Sequence, residues 1–211
     1  MSEYLYNNCC PNKQTMTLTG RGEISAIPDI AVIRLGVLTQ GEDLIKAQTE
    51  NADLSRAVID SLKQLGITNI KTFQYTIDKI YEYVNGTRID KGYSVRNILE
   101  INIQNIGQTG LVIDTAVDNG ANVVDLVSFE VSKRDMYYQE ALNLAIGNAI
   151  EKANSISHHL GISVDLIPIR IEENSAPPAP LLRNVAERAF ATPIESGEQL
   201  IEAFVTAVFH Y

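Results

Sequence analysis

The spacing of apolar residues changes period several times along the chain, and each change marks an element. From Ile30 to Thr39, the residues Ala31, Ile33, Leu35 and Val37 make one unbroken apolar face. Ile30, Val32 and Leu38 share the other face with Arg34 and Gly36. A run this apolar on both sides reads as a central strand. Residues 16–20 before it read as a short strand. Gly20-Arg21-Gly22 reads as a bend or bulge that glycine permits. Pro28-Asp29 reads as a reversal, in which proline presets φ and the aspartate bonds its own backbone. The glycines do not form a dinucleotide loop. Ser25 stands where the third glycine belongs, and Pro28 follows where a helix should run.

The period then becomes helical. Leu44, Ala47, Leu54, Val58, Leu62 and Leu65 form a stripe over Asp43–Leu65, and Gly66 is the expected stop. Asn51 sits in that stripe. A buried amide needs partners, so it is expected to bond neighbouring backbone, with a ligand contact as the alternative.

Residues 70–84 are rich in β-formers, and Asn85-Gly86 is a strong hairpin signal before a return strand over Thr87–Gln104. A two-residue loop pairs Val84 with Thr87, Tyr83 with Arg88 and Tyr75 with Arg96. Such tyrosine–arginine pairs stabilise by under about 1 kcal/mol each where exposed. Arms this long carry the tip beyond the domain body. Tyr81, Tyr83 and Tyr93 near it suit either a subunit contact or plain sheet packing.

A second helix is predicted over Gln108–Asn119 from Leu111, Ile113, Ala116 and Val117, ending at Asn119-Gly120. A strand follows over Val123–Ser132. Ser132 or Asp135 can cap a third helix running to Leu160, with Gly161 as its stop. Tyr138, Leu142, Ala145, Ala149, Ala153, Ile156 and Leu160 keep its stripe, and the alanines predict close approach to a sheet. Val164–Glu173 reads as a strand with Ile167, Ile169 and Ile171 on one face. Residues 175–197 carry Pro177, Pro178, Pro180 and Pro193 and exceed an ordinary connection. Leu181, Leu182, Val185, Ala189 and Phe190 are spaced there for one face of a short helix. The segment reads as a mobile loop, or as an arm that orders against a neighbour. The apolar Leu200–Tyr211 reads as a terminal strand inside a sheet, because at an edge it would invite aggregation.

The order β-β-α-β-β-α-β-α-β-β is not the alternation of a doubly wound fold. It predicts an α+β class: an antiparallel or mixed sheet, about three helices packed on it, and a long projecting β-hairpin. Residues 1–15 read as a disordered tail and 16–211 as one domain.

Composition narrows the function. The net charge of −9 argues against nucleic acid and anionic membrane surfaces as partners. No apolar run approaches the roughly 20 residues that span a bilayer. The polar start, Met1–Thr15, shows no signal-peptide pattern, so a cytoplasmic location is expected. The two cysteines, Cys9 and Cys10, are adjacent. A bridge between neighbours is strained, and no third ligand stands nearby for zinc. They read as tail thiols, with cross-linking or metal capture in an oligomer as the alternative. His158 and His159 point about 100° apart on a helix and do not readily share a metal. They suit a helix C-terminus instead. No phosphate loop, nucleophile elbow, zinc-protease or Cys-x-x-Cys motif is present. No catalytic, cofactor or metal residues are assigned.

Several residues in order carry a resemblance. They include Thr19-Gly20-x-Gly22, Pro28-Asp29, Gly36-Val37, Ala47 with Asn51, and Leu62 with Leu65-Gly66-Ile67. Gly92-Tyr93, Gly120-Ala121-Asn122, Tyr138, Ala141-Leu142, Ala145, Ala149, Lys152-Ala153 and Leu160-Gly161 follow, then Thr192-Pro193-Ile194 and Gly197. In this order and spacing, over about Thr17–Tyr211, the chain resembles the SIMPL-domain family, a bacterial domain of unknown function. The resemblance implies an α+β fold and homo-oligomers, including ring- or channel-like ones. It also implies frequent export to the periplasm and a loose link to stress tolerance. An animal relative is named for association with a signalling kinase. The family has no established catalytic residues. The Cys9-Cys10 tail has no counterpart in it.

The expectation is therefore a non-enzymatic protein that partners itself. Gly20, Gly22, Pro28, Asp29, Asn51, Gly66, Asn85, Gly86, Gly92, Tyr93, Gly120 and Gly161 serve as structural motif residues. Tyr81, Tyr83, Leu181, Leu182, Val185 and Phe190 are candidate subunit contacts. The alternative is a small-ligand module with a sheet–helix pocket near Asn51. A third class, an enzyme of unrecognised type, would need a cleft of titratable groups with shifted pKa values.

Overall fold

The computed structural model describes residues 14–174, the backbone of 182–183, and residues 196–211. Cys9, Cys10, Leu181, Val185 and Phe190, and the side chain of Leu182, lie outside the described residues, so the expectations placed on them do too. The elements are β1 (Thr15–Ala26), β2 (Ile30–Gly41), α1 (Leu44–Gln64), β3 (Ile70–Val84), β4 (Thr87–Ile103), α2 (Thr109–Asp118), β5 (Val123–Glu130), α3 (Arg134–Leu160), β6 (Arg170–Glu173), β7 (Leu182–Arg183) and β8 (Glu198–His210). The class is α+β. The strands form two sheets rather than the single sheet expected. The chain divides into two compact units, one of Met1–Ala26, Lys133–Leu181 and Leu200–Tyr211, the other of Ile27–Ser132 and Leu182–Gln199.

In the unit containing Ile27–Ser132 the strand order is β3-β4-β2-β5. β2 is paired antiparallel on both sides, with Ile33 opposite Ile101 of β4 and Val127 of β5. Its predicted apolar face, Ala31, Ile33, Leu35 and Val37, is fully buried against Val58 and Leu62 of α1 and Val112 and Ala116 of α2. Each large side chain buried there contributes about 1.5–3 kcal/mol. The Asp43 carboxylate caps α1, accepting from the N–H groups of Ile45 (2.9 Å) and Lys46 (3.2 Å). At the other end the Gly66 N–H donates to Lys63 O and the Ile67 N–H to Leu62 O, with Gly66 at φ +82°. That closure needs a residue tolerant of left-handed backbone. Leu65 is the C-cap and is partly exposed, so it leaves the predicted stripe. In α2, Leu111 and Val117 are exposed while Val112 takes the buried position.

The hairpin turns at Asn85 (φ 49°) and Gly86 (φ 81°), the two positive values a tight hairpin loop demands. Val84 pairs with Thr87 and Tyr83 with Arg88, as expected. The register then shifts between Lys79 and Tyr81, so Tyr75 faces Asn97 and Arg96 faces Thr76. The cause is a bulge at Asp90–Gly92. Its aspartate accepts from the Gly92 N–H at 2.9 Å, and Gly92 has φ +96°. A Cβ on Gly92 would run into the carbonyl of Gly41, so a neighbouring strand imposes the bulge.

The other unit has the strand order β1-β8-β6, while β7 pairs with Glu198 and Gln199 at the start of β8, within the unit of Ile27–Ser132. β8 is interior, as its apolar content requires, and buries Ile201, Ala203, Val205, Ala207 and Phe209. Ala203, Val205, Ala207 and Phe209 pack against Ala141, Ala145, Ala149 and Ala153 of α3. Leu160, at the end of the predicted stripe, is exposed. β1 is one continuous strand, without the bend expected at Gly20-Arg21-Gly22. Both glycines are buried beneath α3. A Cβ on Gly20 would fall on the carbonyl oxygen of Ala145, and one on Gly22 on that of Ala141. The glycines allow helix backbone to approach strand backbone.

Two further expectations are corrected. Only Arg170–Glu173 of the predicted Val164–Glu173 strand forms a ladder, against β8. Upstream, the Asp165 side chain accepts from the Ile167 N–H at 3.0 Å, a local turn that competes with strand pairing. Pro28-Asp29 stands between β1 and β2, which belong to different sheets. Asp29 bonds to residues far along the chain. Its carboxylate accepts from the Ser132 N–H (2.6 Å) and Oγ (2.5 Å), and its own N–H donates to Glu130 O (3.0 Å). Ser132 is thereby taken from its predicted capping role, and α3 starts after Lys133 with no side-chain cap bond. Asp135 lies in its first turn.

Candidate functional site

The Asn51 amide is buried, and its Nδ2 donates to Val37 O (3.0 Å) and Val95 O (2.9 Å). Its Oδ1 accepts from Ser55 Oγ at 3.4 Å, and Ser55 Oγ accepts from Asn97 Nδ2 at 3.0 Å. The backbone role expected of it is the observed one. Its hydrogen bonds tie α1 to β2 and β4.

A cleft of about 410 Å³ at one end of this unit's sheet joins the loop after α1 to the end of β4. Thr68, Asn69, Asn102, Gln104, Asn105 and Gln108 line it over apolar Ile30, Ile67 and Ile103. The lining is uncharged and rich in amides that both donate and accept.

On the sheet side away from α1, three side chains from adjacent strands converge. Glu100 is 8% exposed. Arg34 Nε donates to its Oε2 at 2.8 Å, and Lys71 Nζ reaches its Oε1 at 2.9 Å. Register makes the cluster, because Glu100 is opposite Arg34 on one side and Lys71 on the other. The Arg34 guanidinium lies 3.7 Å from the Phe73 ring centroid. Hydrogen bonds from Lys71 and then Arg34 hold the Glu100 carboxyl below its ordinary value. Sequence reasoning missed this cluster. Its one signal was Arg34 interrupting an apolar face.

The hairpin tip carries the candidate contact residues. β2 ends its pairing at Gly41 opposite Tyr93, so beyond that point the arm is two-stranded. Tyr83 is 71% exposed and Tyr81 39%. The Arg88 guanidinium lies 4.1 Å from the Tyr81 ring centroid, and Lys79 Nζ 5.3 Å from that of Tyr93. Lys79 pairs with Asp90 at 2.8 Å and Lys91 with Glu82 at 2.7 Å. Tyr83, Val84 and Ile89 are left as exposed apolar surface.

Gly120 (φ +110°) and Gly161 (φ +64°) occupy left-handed positions after α2 and α3, as expected. His158 and His159 are in the last turn of α3. Among the described residues, no three His, Cys, Asp or Glu side chains are grouped to hold a metal, and no helix is long and apolar enough to cross a membrane.

Two small sheets backed by helices, with an aromatic two-stranded arm, define an α+β scaffold. The chain belongs to the SIMPL family, described as a protein of unknown function (DUF541), whose pattern matches residues 16–209. It is 28% identical to the 26 kDa periplasmic immunogenic protein of Brucella melitensis, across 92% of this chain and 83% of that protein. It is 25% identical to the uncharacterized protein YggE of Escherichia coli K12, across 94% of this chain and 81% of that protein. The YggE of Edwardsiella ictaluri is 23% identical across 95% of this chain. These names overturn the expected cytoplasmic location, because the Brucella proteins are named as periplasmic.

Proposed function

We propose that this protein is a non-catalytic, self-assembling scaffold of the periplasm, in which subunits meet through the hairpin arm. The observation that supports this reading is the hairpin tip beyond Tyr93, where, among the described residues, two strands without a third neighbour expose Tyr81, Tyr83, Val84 and Ile89. An isolated two-stranded ribbon is marginal in water, and exposed aromatic side chains gain most from burial against a partner. The compartment follows the name of the Brucella relatives. Light scattering on the purified protein tests the assembly: a discrete oligomer supports it, and a 23.3 kDa monomer removes it.

A second reading rests on the amide-lined cleft. Its volume lies within the range of small-molecule sites, roughly 300–1,000 Å³. Its uncharged lining suits a neutral, hydroxyl- or amide-bearing ligand. It replaces the pocket expected near Asn51. Thermal shifts with neutral sugars and short peptides test it, and Asn102→Leu should abolish any shift seen.

A further inference from the structure

The chain holds two Asn-Gly dipeptides, Asn85-Gly86 and Asn119-Gly120, and the structure treats them oppositely. Asn119 follows α2 and is held at both reacting groups. Its Nδ2 donates to Thr115 O at 2.8 Å, and the Gly120 N–H donates to Val117 O at 3.1 Å. Leu54 packs against Gly120, where an added Cβ would come within 2.9 Å of its Cδ2. Asn85-Gly86 is the exposed tip of the two-stranded arm. Among the described residues neither the Asn85 side chain nor the Gly86 N–H makes a hydrogen bond, and beyond its two chain neighbours no residue comes within 4 Å of where a Gly86 Cβ would stand.

We propose that Asn85-Gly86 is a self-modifying turn: Asn85 converts to a mixture of aspartate and isoaspartate in the folded protein, while Asn119 is protected. The Gly86 backbone nitrogen, losing its proton to solvent, attacks Cγ of Asn85. A C–N bond forms, the bond to the side-chain nitrogen breaks, and ammonia leaves. The product is a five-membered succinimide. Water then opens the ring at either carbonyl, giving aspartate or an isoaspartate in which the chain runs through the former side chain. One water is consumed, one ammonia released and one negative charge gained, with no change of oxidation state. Ring closure needs rotation about ψ and χ1 of Asn85 to bring its Cγ onto the Gly86 nitrogen, which opens the turn. At this tip that opening breaks only the local ladder, the kind of fluctuation of lowest cost in a fold. At Asn119 it must first break two hydrogen bonds and the Leu54 contact.

Isoaspartate adds a backbone carbon to a two-residue loop whose geometry sets the register of Val84 with Thr87. The new negative charge falls on the turn that joins Val84 to Thr87. If the assembly reading is right, the modification acts at the same tip, yet the chemistry itself does not depend on that reading.

The test is peptide mapping of the intact protein held in mildly alkaline buffer, against the same protein in denaturant. The tryptic peptide Ile80–Arg88 reports Asn85, and Asn97–Lys133 reports Asn119. In denaturant both sites should convert at comparable rates. Folding should slow Asn119 by at least about tenfold more than Asn85, as the difference in local opening predicts. Equal protection, or faster loss at Asn119, overturns the proposal. Mass along the same time course reads assembly separately, so loss of that reading leaves the chemical result standing.

Discussion

Gly20 of β1 lies directly beneath the carbonyl of Ala145 on α3, with no room for a Cβ between them. Gly22 has the same relation to Ala141 one step along the strand. Both alanines are fully buried. Helix and strand meet backbone to backbone, so any side chain at these glycines must push α3 away. Gly20→Ala should cost on the order of 3 kcal/mol, the upper range for overpacking a core. Urea unfolding monitored by circular dichroism measures it, and a loss under about 0.5 kcal/mol would mean that the helix yields freely.

Gly147 is the opposite case. It sits within α3 with open space where a Cβ would go. Gly147→Ala should stabilise by about 0.5–1 kcal/mol, through helix propensity and reduced freedom of the unfolded chain. The same titration checks it, and destabilisation would reveal a neighbour at that face.

Asn51 satisfies the carbonyls of Val37 and Val95 with one amide. Asn51→Leu keeps a similar volume but removes the amide's hydrogen bonds to two carbonyls of the paired strands β2 and β4. The expected cost is about 1–3 kcal/mol, at about 0.5–1.5 for each bond lost. A near-neutral effect, read as an unchanged thermal midpoint, would show that water or a shifted side chain replaces the amide.

The cluster around Glu100 makes stability depend on acid. Hydrogen bonds from Lys71 and Arg34 depress its folded pKa below the ordinary 4.5. The carboxylate therefore contributes its full stability above the unfolded value, and that contribution is lost as pH falls through the folded one. Glu100→Gln should cost on the order of 1–2 kcal/mol near neutrality, between the values for exposed and buried pairs. The variant should also lose less stability on acidification than the parent. Parallel acid limbs would exclude Glu100 as the titrating group.

Removing the arm's aromatic surface tests the assembly. Tyr81→Ala with Tyr83→Ala should lower the oligomer mass seen by light scattering while leaving the thermal midpoint within a few degrees. Exposed positions of this kind usually change stability by about 0.5 kcal/mol or less. An assembly of unchanged mass would remove the tip from the interface.

The chain's local signals carried much of the fold. The face Ala31–Ile33–Leu35–Val37, the helix stops at Gly66 and Gly161 and the turn at Asn85-Gly86 follow from period and from backbones that only certain residues tolerate. Asn51 bonding to backbone followed from the cost of an unpaired buried amide. Each depends on a residue and its near neighbours in sequence, so one-dimensional pattern determines it. What the sequence left open depended on residues far apart. Gly20 and Gly22 acquire their purpose from a helix more than a hundred residues away, Asp29 finds Ser132, and the bulge at Gly92 answers Gly41. Arg34, Lys71 and Glu100 meet only once three strands are in register. Only the tertiary structure decides these relationships and the division of the strands into two sheets. Each requires two backbones to approach from distant parts of the chain, and no local period encodes which pair will meet.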